Sequence, residues 1–388
     1  MLALVLALLA APAGPAVKPA VSDVVSERPS FRPQEGGAAA WRYRTSVACR
    51  VTASIYDARD LLVRTLVAGS DLPAGDHRLS WDGRADDGRP APPGYYLLTI
   101  ESKGGGEAVR YDPSDSTGGE LTQVSAARYD PAASAVRYAL QKPSLLRIHL
   151  GLKGDGPLLR TLVDWVARGP GEHLEPWDGW DSSGVIRFAD SRDLDVQIWA
   201  YALPVNAVVV EPPAPAVVPA AARPAVAGSA TVSTPPARPA RLQFLDLPAG
   251  RPARPRGAAP PHEMYNHWGH DRRLCHNPSA ELTVTGGARG ERGAVVVAGD
   301  VALGLKLADD EASFLQDERF ETVIYIDGVF QSEEEQGYLP FTWKLKRDML
   351  TPGEHVITFM VRGYEGHFGS SSIRVLRPKG AGLPATGR

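Results

Sequence analysis

Four of the nine histidines and one of the two cysteines fall between His262 and His276. Imidazole and thiolate together suit Zn, Cu or Fe, so His262, His267, His270, Cys275 and His276 are the candidate metal ligands. A transition metal is the one cofactor that the chain raises. The spacing shows neither C-x-x-C nor H-x-x-x-H, and it lacks the C-x-x-C-H of covalent haem attachment. Two readings stand: a polar loop leading into a domain, or a metal or haem-ligand site with Cys275 as the residue that separates them.

A second constellation is Gly363-Tyr364-Glu365-Gly366-His367-Phe368-Gly369. Glycines there permit positive φ or close backbone approach, as a long loop at the end of a sandwich requires. Such loops meet partners, so Tyr364, His367 and Phe368 are the candidate partner-binding surface. His77, His173 and His355 each follow a glycine and an acid, where a turn hands over to a strand, which reads as a structural device. Trp81 and Trp177 precede Asp-Gly turns and read as core or turn residues, with sugar stacking as the alternative. Asp82, Asp86 and Asp87 miss the alternating calcium-loop spacing and read as a solvated turn. Glu333, Glu334 and Glu335 read as a solvated edge. Cys49 shares parity with Val47 and Val51, so a buried thiol is expected, with pairing to Cys275 as the alternative. No G-x-S-x-G, H-E-x-x-H, P-loop or dinucleotide fingerprint stands in a strand-to-helix setting, so no enzyme class is supported.

The elements that carry these residues repeat. Arg64-Thr65-Leu66-Val67 recurs as Arg160-Thr161-Leu162-Val163, Gly75 as Gly171, His77 as His173, and Trp81-Asp82-Gly83 as Trp177-Asp178-Gly179, all at an offset of 96. A period of domain length implies tandem modules. The 388 residues suffice for two to four domains, and the net charge of −3 gives no field for nucleic acid or an anionic membrane. With 39 glycines and 34 prolines the chain is densely punctuated, as many short strands and a linker require.

Residues 1–16 run from an apolar stretch into small residues, like a secretory signal peptide that lacks a basic start and is too short to span a bilayer. Nothing strand-like is expected before about residue 40. Residues 41–56, 61–67, 77–81 and 95–100 alternate or are β-branched, with turns at Asp57–Asp60, Pro73–Asp76 and Asp82-Gly83, a pattern of antiparallel β-sandwich strands. The order VRTL, AGDH, WDGRADDGRPAPPGYYLLTI resembles the FlgD immunoglobulin-like domain, over residues 27–103. A divergent second copy is expected over 125–207, with FADSR (188–192) where the first has PPGYY and a last strand at 196–202. The resemblance implies a sandwich used for assembly, spacing or partner contact, and it does not extend to hook capping.

Residues 208–261 form an expected Pro/Ala-rich disordered linker; positions 211–261 alone hold 13 prolines. Its one apolar island, Leu242–Leu247, is read as a stray patch or as a strand offered to a partner sheet. Residues 262–378 are expected to form a third sandwich, with strands at 281–284, 294–297, 303–307, 321–326, 341–345, 355–361 and 371–376 and a tail at 379–388. Its phrases Tyr325-Ile-Asp-Gly, Leu339–Trp343, Thr351–His355 and Ser370–Val375 resemble bacterial Ig-like or fibronectin-like domains. The fold class expected is therefore all-β, with three antiparallel Ig-like sandwiches. The function expected is a non-enzymatic exported scaffold or adhesion protein, secreted, periplasmic or cell-surface, with a protein or cell-envelope partner, no nucleic acid and no membrane span after leader removal. The alternatives are a metal- or haem-associated accessory of an extracytoplasmic redox system and a carbohydrate-binding accessory module.

Overall fold

A computed structural model of the chain describes residues 18–213, 240–241, 243–254, 277–290, 293–308, 312–313, 315–316, 319–363 and 367–379. Residues 1–17, which include the expected signal peptide, His262 to His276 and Tyr364 lie outside these residues. The elements are strands joined by turns, arranged in antiparallel sheets with a few short parallel pairings, so the chain is all-β. No helix among the described residues is long and apolar enough to cross a membrane.

The first unit contains β1 (Val21–Ser26), β2 (Ser30–Phe31), β3 (Ala39–Thr45), β4 (Cys49–Asp57), β5 (Leu62–Leu72), β6 (Gly75–Trp81), β7 (Gly94–Gly104) and β8 (Glu107–Tyr111). One layer runs β1-β3-β6; the other places β4 between β5 and β7, with β8 on β7. In β3, Ala39, Trp41, Tyr43 and Thr45 are buried while Arg42 and Arg44 are exposed, the alternation that a half-buried strand demands. Trp41 lies opposite Leu79 and Tyr43 opposite His77. Val51, Ala53 and Ile55 from β4 and Tyr96, Leu98 and Ile100 from β7 close the core from the other layer. Each fully buried aliphatic side chain there contributes about 1.5–3 kcal/mol. The β1 strand corrects the expectation of no strand before residue 40. It is an edge strand with no fully buried side chain, held by backbone pairing to β3, so its sequence shows little alternation.

The second unit contains β9 (Val124–Asp130), β10 (Ala135–Leu140), β11 (Ser144–Leu152), β12 (Leu158–Arg168), β13 (Gly171–Pro176) and β14 (Leu194–Ala202). Its layers run β9-β10-β13 and β14-β11-β12, the order of the first unit. The Trp-Asp-Gly turns share their bonds: Trp81 Nε1 donates to the Arg84 carbonyl at 2.8 Å and Trp177 Nε1 to the Trp180 carbonyl at 3.0 Å. Gly83 sits at φ 77°, and a Cβ there would meet Pro33 Cγ at 2.6 Å. Beyond these turns the two units diverge for a packing reason. Trp81 packs on Phe31 and Tyr96, whereas Trp177 packs on Tyr129 and Phe188 at ring distances of 5.2 and 4.8 Å. Both tryptophans are buried core residues.

The chain then turns back. Strand β15 (Val208–Val210) pairs antiparallel with β7 and parallel with β2, inside the first unit's sheet. Strand β16 (Ala240–Arg241) pairs parallel with β12. Residues 243–254 lie against the first unit, with Leu245 and Leu247 on its core. Within the stretch expected as a linker, residues 208–210 and 240–241 thus pair as strands and residues 243–254 lie on the first unit, while residues 214–239 lie outside the described residues. The apolar run Val208-Val209-Val210 is fully buried, and that burial offsets the ordering entropy of the segment.

The third unit contains β17 (Glu281–Thr285), β18 (Ala288–Arg289), β19 (Val295–Val296), β20 (Val301–Lys306), β21 (Phe320–Ile326), β22 (Val329–Glu334), β23 (Phe341–Leu345), β24 (Gly353–Gly363) and β25 (Phe368–Arg377). Its layers run β17-β20-β23 and β18-β19-β25-β24-β21-β22, around a core that includes Leu303, Phe320, Phe341, Phe359 and Val375. All seven strands expected from sequence are present. Asp327 and Gly328 turn β21 into β22 with φ of 51° and 79°, both positive as a tight two-residue hairpin needs.

Candidate functional site

Strand β11 has almost no exposed face. Successive side chains of a strand point to opposite sides, so Leu146, Ile148 and Leu150 enter the second unit's core while Leu145, Arg147 and His149 point outward. The outward side is covered at both ends by the neighbouring units. At one end Leu145 joins Tyr95, Leu97, Ala167, Leu203, Ala207 and Val209 in an apolar cluster between the first and second units. At the other end the His149 ring sits edge-on between Trp199, 5.5 Å away, and Phe368 of the third unit, 5.0 Å away.

Between these ends lies a buried polar cluster. The Arg147 guanidinium stacks on Trp165 and Trp199, with its carbon 4.6 and 4.9 Å from the ring centroids. Burial lowers the Arg147 pKa to about 10, against the opposing charge of Asp164, so the side chain stays cationic at neutral pH. His149 is 1% exposed, and burial, reinforced by the Arg147 charge, pushes its pKa well below the ordinary imidazole range. His149 is therefore neutral at pH 7. Asp164 accepts from the Asn277 backbone N–H at 3.0 Å and from Asn277 Nδ2 at 2.5 Å. Asn277 Oδ1 in turn accepts from the Phe368 N–H at 2.6 Å, completing a bridge from β12 to β25.

A second set of bonds supports the same junction. Ser183 Oγ accepts from the Ser372 N–H at 2.8 Å, and Arg374 Nη2 donates to the Val185 carbonyl at 2.9 Å. The loop that presents Ser183 is held by Asp181, whose carboxylate accepts from the Val185 and Ile186 N–H groups at 2.7 and 2.9 Å. Burial raises the Asp181 pKa, the backbone bonds opposing it. Leu158 adds an apolar contact to Val323, Tyr325 and Met360. The chemistry on offer is a neutral imidazole, a stacked cation and a hydrogen-bonded carboxylate, all buried. Such a set fixes the orientation of two units.

The expected site residues distribute unevenly over this geometry. His262, His267, His270, Cys275 and His276 lie outside the described residues, but Asn277, next in the chain, is buried in the junction. Among the described residues no group of three or more His, Cys, Asp or Glu is placed to hold a metal. Tyr364 also lies outside them. His367 is 4% exposed, its carbonyl accepts from the Gly363 N–H, and Phe368 packs on His149. Of the three residues expected to meet a partner, Phe368 thus packs on the chain's own second unit. His77, His173 and His355 share one device: each Nε2 bonds the carbonyl four residues earlier, at Pro73, Gly169 and Thr351, at 3.1, 2.8 and 2.8 Å. Cys49 is a buried free thiol, its pKa raised by burial.

Sequence reasoning missed Arg147, His149, Asp164 and Asn277. The only signal in Ser144–Leu152 (SLLRIHLGL) was Leu145, apolar on the parity otherwise held by Arg147, His149 and Gly151. A strand with water on one face does not need that.

Comparison with known proteins places the first unit. The family model described as the FlgD Ig-like domain matches residues 29–106. The basal-body rod modification protein FlgD of Escherichia coli is 41% identical over 66 residues, covering 17% of this chain and 28% of that protein. The FlgD protein of Salmonella typhimurium matches with the same identity and coverage. The chain thus spans 28% of the length of these curated relatives. Among solved structures, the fibronectin(III)-like modules of Clostridium thermocellum CbhA align over 96% of this chain and all of theirs, at 8% identity and a TM-score of 0.21. A calcium-stabilized adhesin of an Antarctic bacterium aligns over 94% of this chain and 74% of its own, at 11% identity and a TM-score of 0.18. Those scores are too low to bear on the arrangement of units. Residues 29–106 are a FlgD-type Ig-like domain within a longer all-β chain.

Proposed function

We propose that the chain is an exported, non-enzymatic scaffold protein of the cell envelope or cell surface. In this reading its β-sandwich units act as one docked spacer that holds a protein or envelope partner in fixed geometry. The observation that carries the reading is the FlgD-type module at residues 29–106, built into a chain whose other units dock on one another through buried junctions. An assembly module fits this use, because a spacer transmits position only when its joints are stiff. The apolar stretch at residues 1–16 supports export, and the second unit's repeated strand order supports a second copy of the same module.

The test is cell fractionation with N-terminal sequencing of the full chain, followed by in situ cross-linking to identify what it touches. The reading predicts an extracytoplasmic protein, processed near residue 16, that cross-links to an envelope or surface protein. Retention in the cytoplasm with an intact leader would overturn export, and a cross-linking pattern confined to the chain itself would overturn the scaffold role. The histidine and cysteine content of residues 262–276 favours one second reading, a metal- or haem-associated accessory. Metal analysis of the full chain and of Cys275→Ser decides it: stoichiometric metal lost on substitution supports it, and metal-free protein removes it.

A further inference from the structure

Residues 243–254 cross the first unit as an extended strap, and their contacts are those of a bound peptide. Arg59 stacks over the Phe244 ring at 4.7 Å, and Arg89 Nη2 donates to the Asp246 carbonyl at 2.8 Å. Arg251 Nη1 donates to the Leu62 and Val63 carbonyls at 2.8 and 3.2 Å and reaches Asp86 at 3.4 Å. The Leu62 N–H donates to the Pro252 carbonyl and the Arg254 N–H to the Asp60 carbonyl, so that Leu61 and Ala253 form an antiparallel bridge. Backbone pairing of this kind is how an extended peptide joins a sheet edge.

The anchor is Arg254, whose side chain is 1% exposed. Its Nη2 donates to Asp60 Oδ1 at 2.7 Å and its Nη1 to Asp112 Oδ1 at 2.6 Å, with Ser114 Oγ as a further partner. Asp112 is fully buried and Asp60 is 15% exposed on its side chain. Two carboxylates buried this close repel each other unless a cation lies between them, and a guanidinium presents several donors in a fixed fork to bridge them. The pocket therefore selects arginine, and Arg251, three residues earlier, adds a second anchor on backbone carbonyls.

We propose that Asp60, Asp112, Ser114 and the turn between β4 and β5 form a recognition site for an extended Arg-x-x-Arg peptide. Residues 243–254 fill it in cis as a releasable strap. The site recognises two arginines and main-chain groups, so the same segment supplied in trans binds once the tethered copy is disabled. A covalently tethered segment acts at a high effective concentration, on the order of millimolar, and this keeps the site closed in the intact chain.

The probe is a fluorescein-labelled peptide of residues 243–254, followed by anisotropy with three forms of the full chain. Arg251→Ser/Arg254→Ser is expected to bind it saturably. The wild-type chain is expected to bind at least about a hundredfold more weakly, because the tethered strap competes. Adding Asp60→Asn/Asp112→Asn to the strap variant is expected to abolish binding; asparagine keeps the left-handed backbone of position 60, at φ 62°. Absence of saturable binding to a folded strap variant, or equal affinity for it and the wild type, would overturn the proposal. Should the strap variant not fold, hydrogen exchange of the wild-type strap answers instead. Free peptide at several millimolar, matching the tethered concentration, should accelerate exchange within residues 243–254, and an unchanged rate would overturn the proposal.

Discussion

Leu145→Ala is the substitution that most sharply separates docked units from independent ones. Leu145 lies on the outward face of β11, so in an isolated second unit it would meet water. In the structure it is 0% exposed, enclosed by Tyr95 and Leu97 of β7, Ala167 of β12, Leu203, Ala207 and Val209. Removing the side-chain atoms beyond Cβ from a closed apolar site costs about 2–5 kcal/mol, the spread reflecting how far the walls collapse. On an exposed strand position the same change stays within about 0.5 kcal/mol. Leu146→Ala is the internal reference, because Leu146 is also 0% exposed but points into the second unit's own core. The assay is urea unfolding followed by tryptophan fluorescence, with the midpoint and slope compared among the three proteins. Docking predicts that Leu145→Ala loses a stability comparable to Leu146→Ala. A loss below about 0.5 kcal/mol for Leu145→Ala, beside a multi-kilocalorie loss for Leu146→Ala, would refute the buried junction.

Protonation and charge at other buried positions yield further outcomes. His149 has a depressed folded pKa, so below about pH 6.5 the unfolded chain takes up a proton that the folded chain refuses. Its contribution to stability is therefore intact above that pH and lost as pH falls, with a slope of at most about 1.4 kcal/mol per pH unit. His149→Phe should flatten the stability profile between about pH 6.5 and 5, and an unchanged profile counts against the assignment. His355 behaves with the opposite sign. Burial pulls its pKa down, but the hydrogen bonds its ring donates to Asp327 and to the Thr351 carbonyl outweigh it and raise the value. Its stabilising effect is complete below about pH 6.5 and fades as pH rises through the elevated folded value, so an NMR titration midpoint at or below about 6.5 would contradict the contact. Glu175 pairs with the buried Arg168 at 2.9 Å and accepts from the Tyr138 hydroxyl at 2.9 Å. Glu175→Ala strands that cation and should cost about 3–5 kcal/mol in thermal unfolding, whereas a loss under about 1 kcal/mol would mean that water reaches the pair.

The legible parts of this fold are those where one face is wet. Strands β3, β20 and β23 bury alternate residues, so their positions and faces are written in period two. Of the matched words at an offset of 96, Trp81 and Trp177 are core residues ahead of matching turns, while Arg64–Val67 is a half-buried stretch of β5. What stayed hidden depends on contacts between units. Val208-Val209-Val210 sits just ahead of a proline-rich stretch, and the distant strands β2 and β7 make it a strand between them. His149 and Arg147 carry no motif, because their environment is assembled from Trp165, Trp199 and Phe368, far apart in sequence. The contact of Phe368 with His149 was hidden for the same reason: glycines and aromatics in a loop signal a contact without saying with whom.

The account rests on the three units tumbling as one body, with the junctions at Leu145 and at His149–Phe368 closed. Backbone 15N relaxation on the deuterated full chain measures this directly, through the rotational correlation time of amides in β4, β11 and β24. A single correlation time, the value for a 41.5 kDa particle, is the predicted result. A markedly shorter time for β24 than for β11, as for a freely linked unit of a third of that mass, would contradict the docked scaffold.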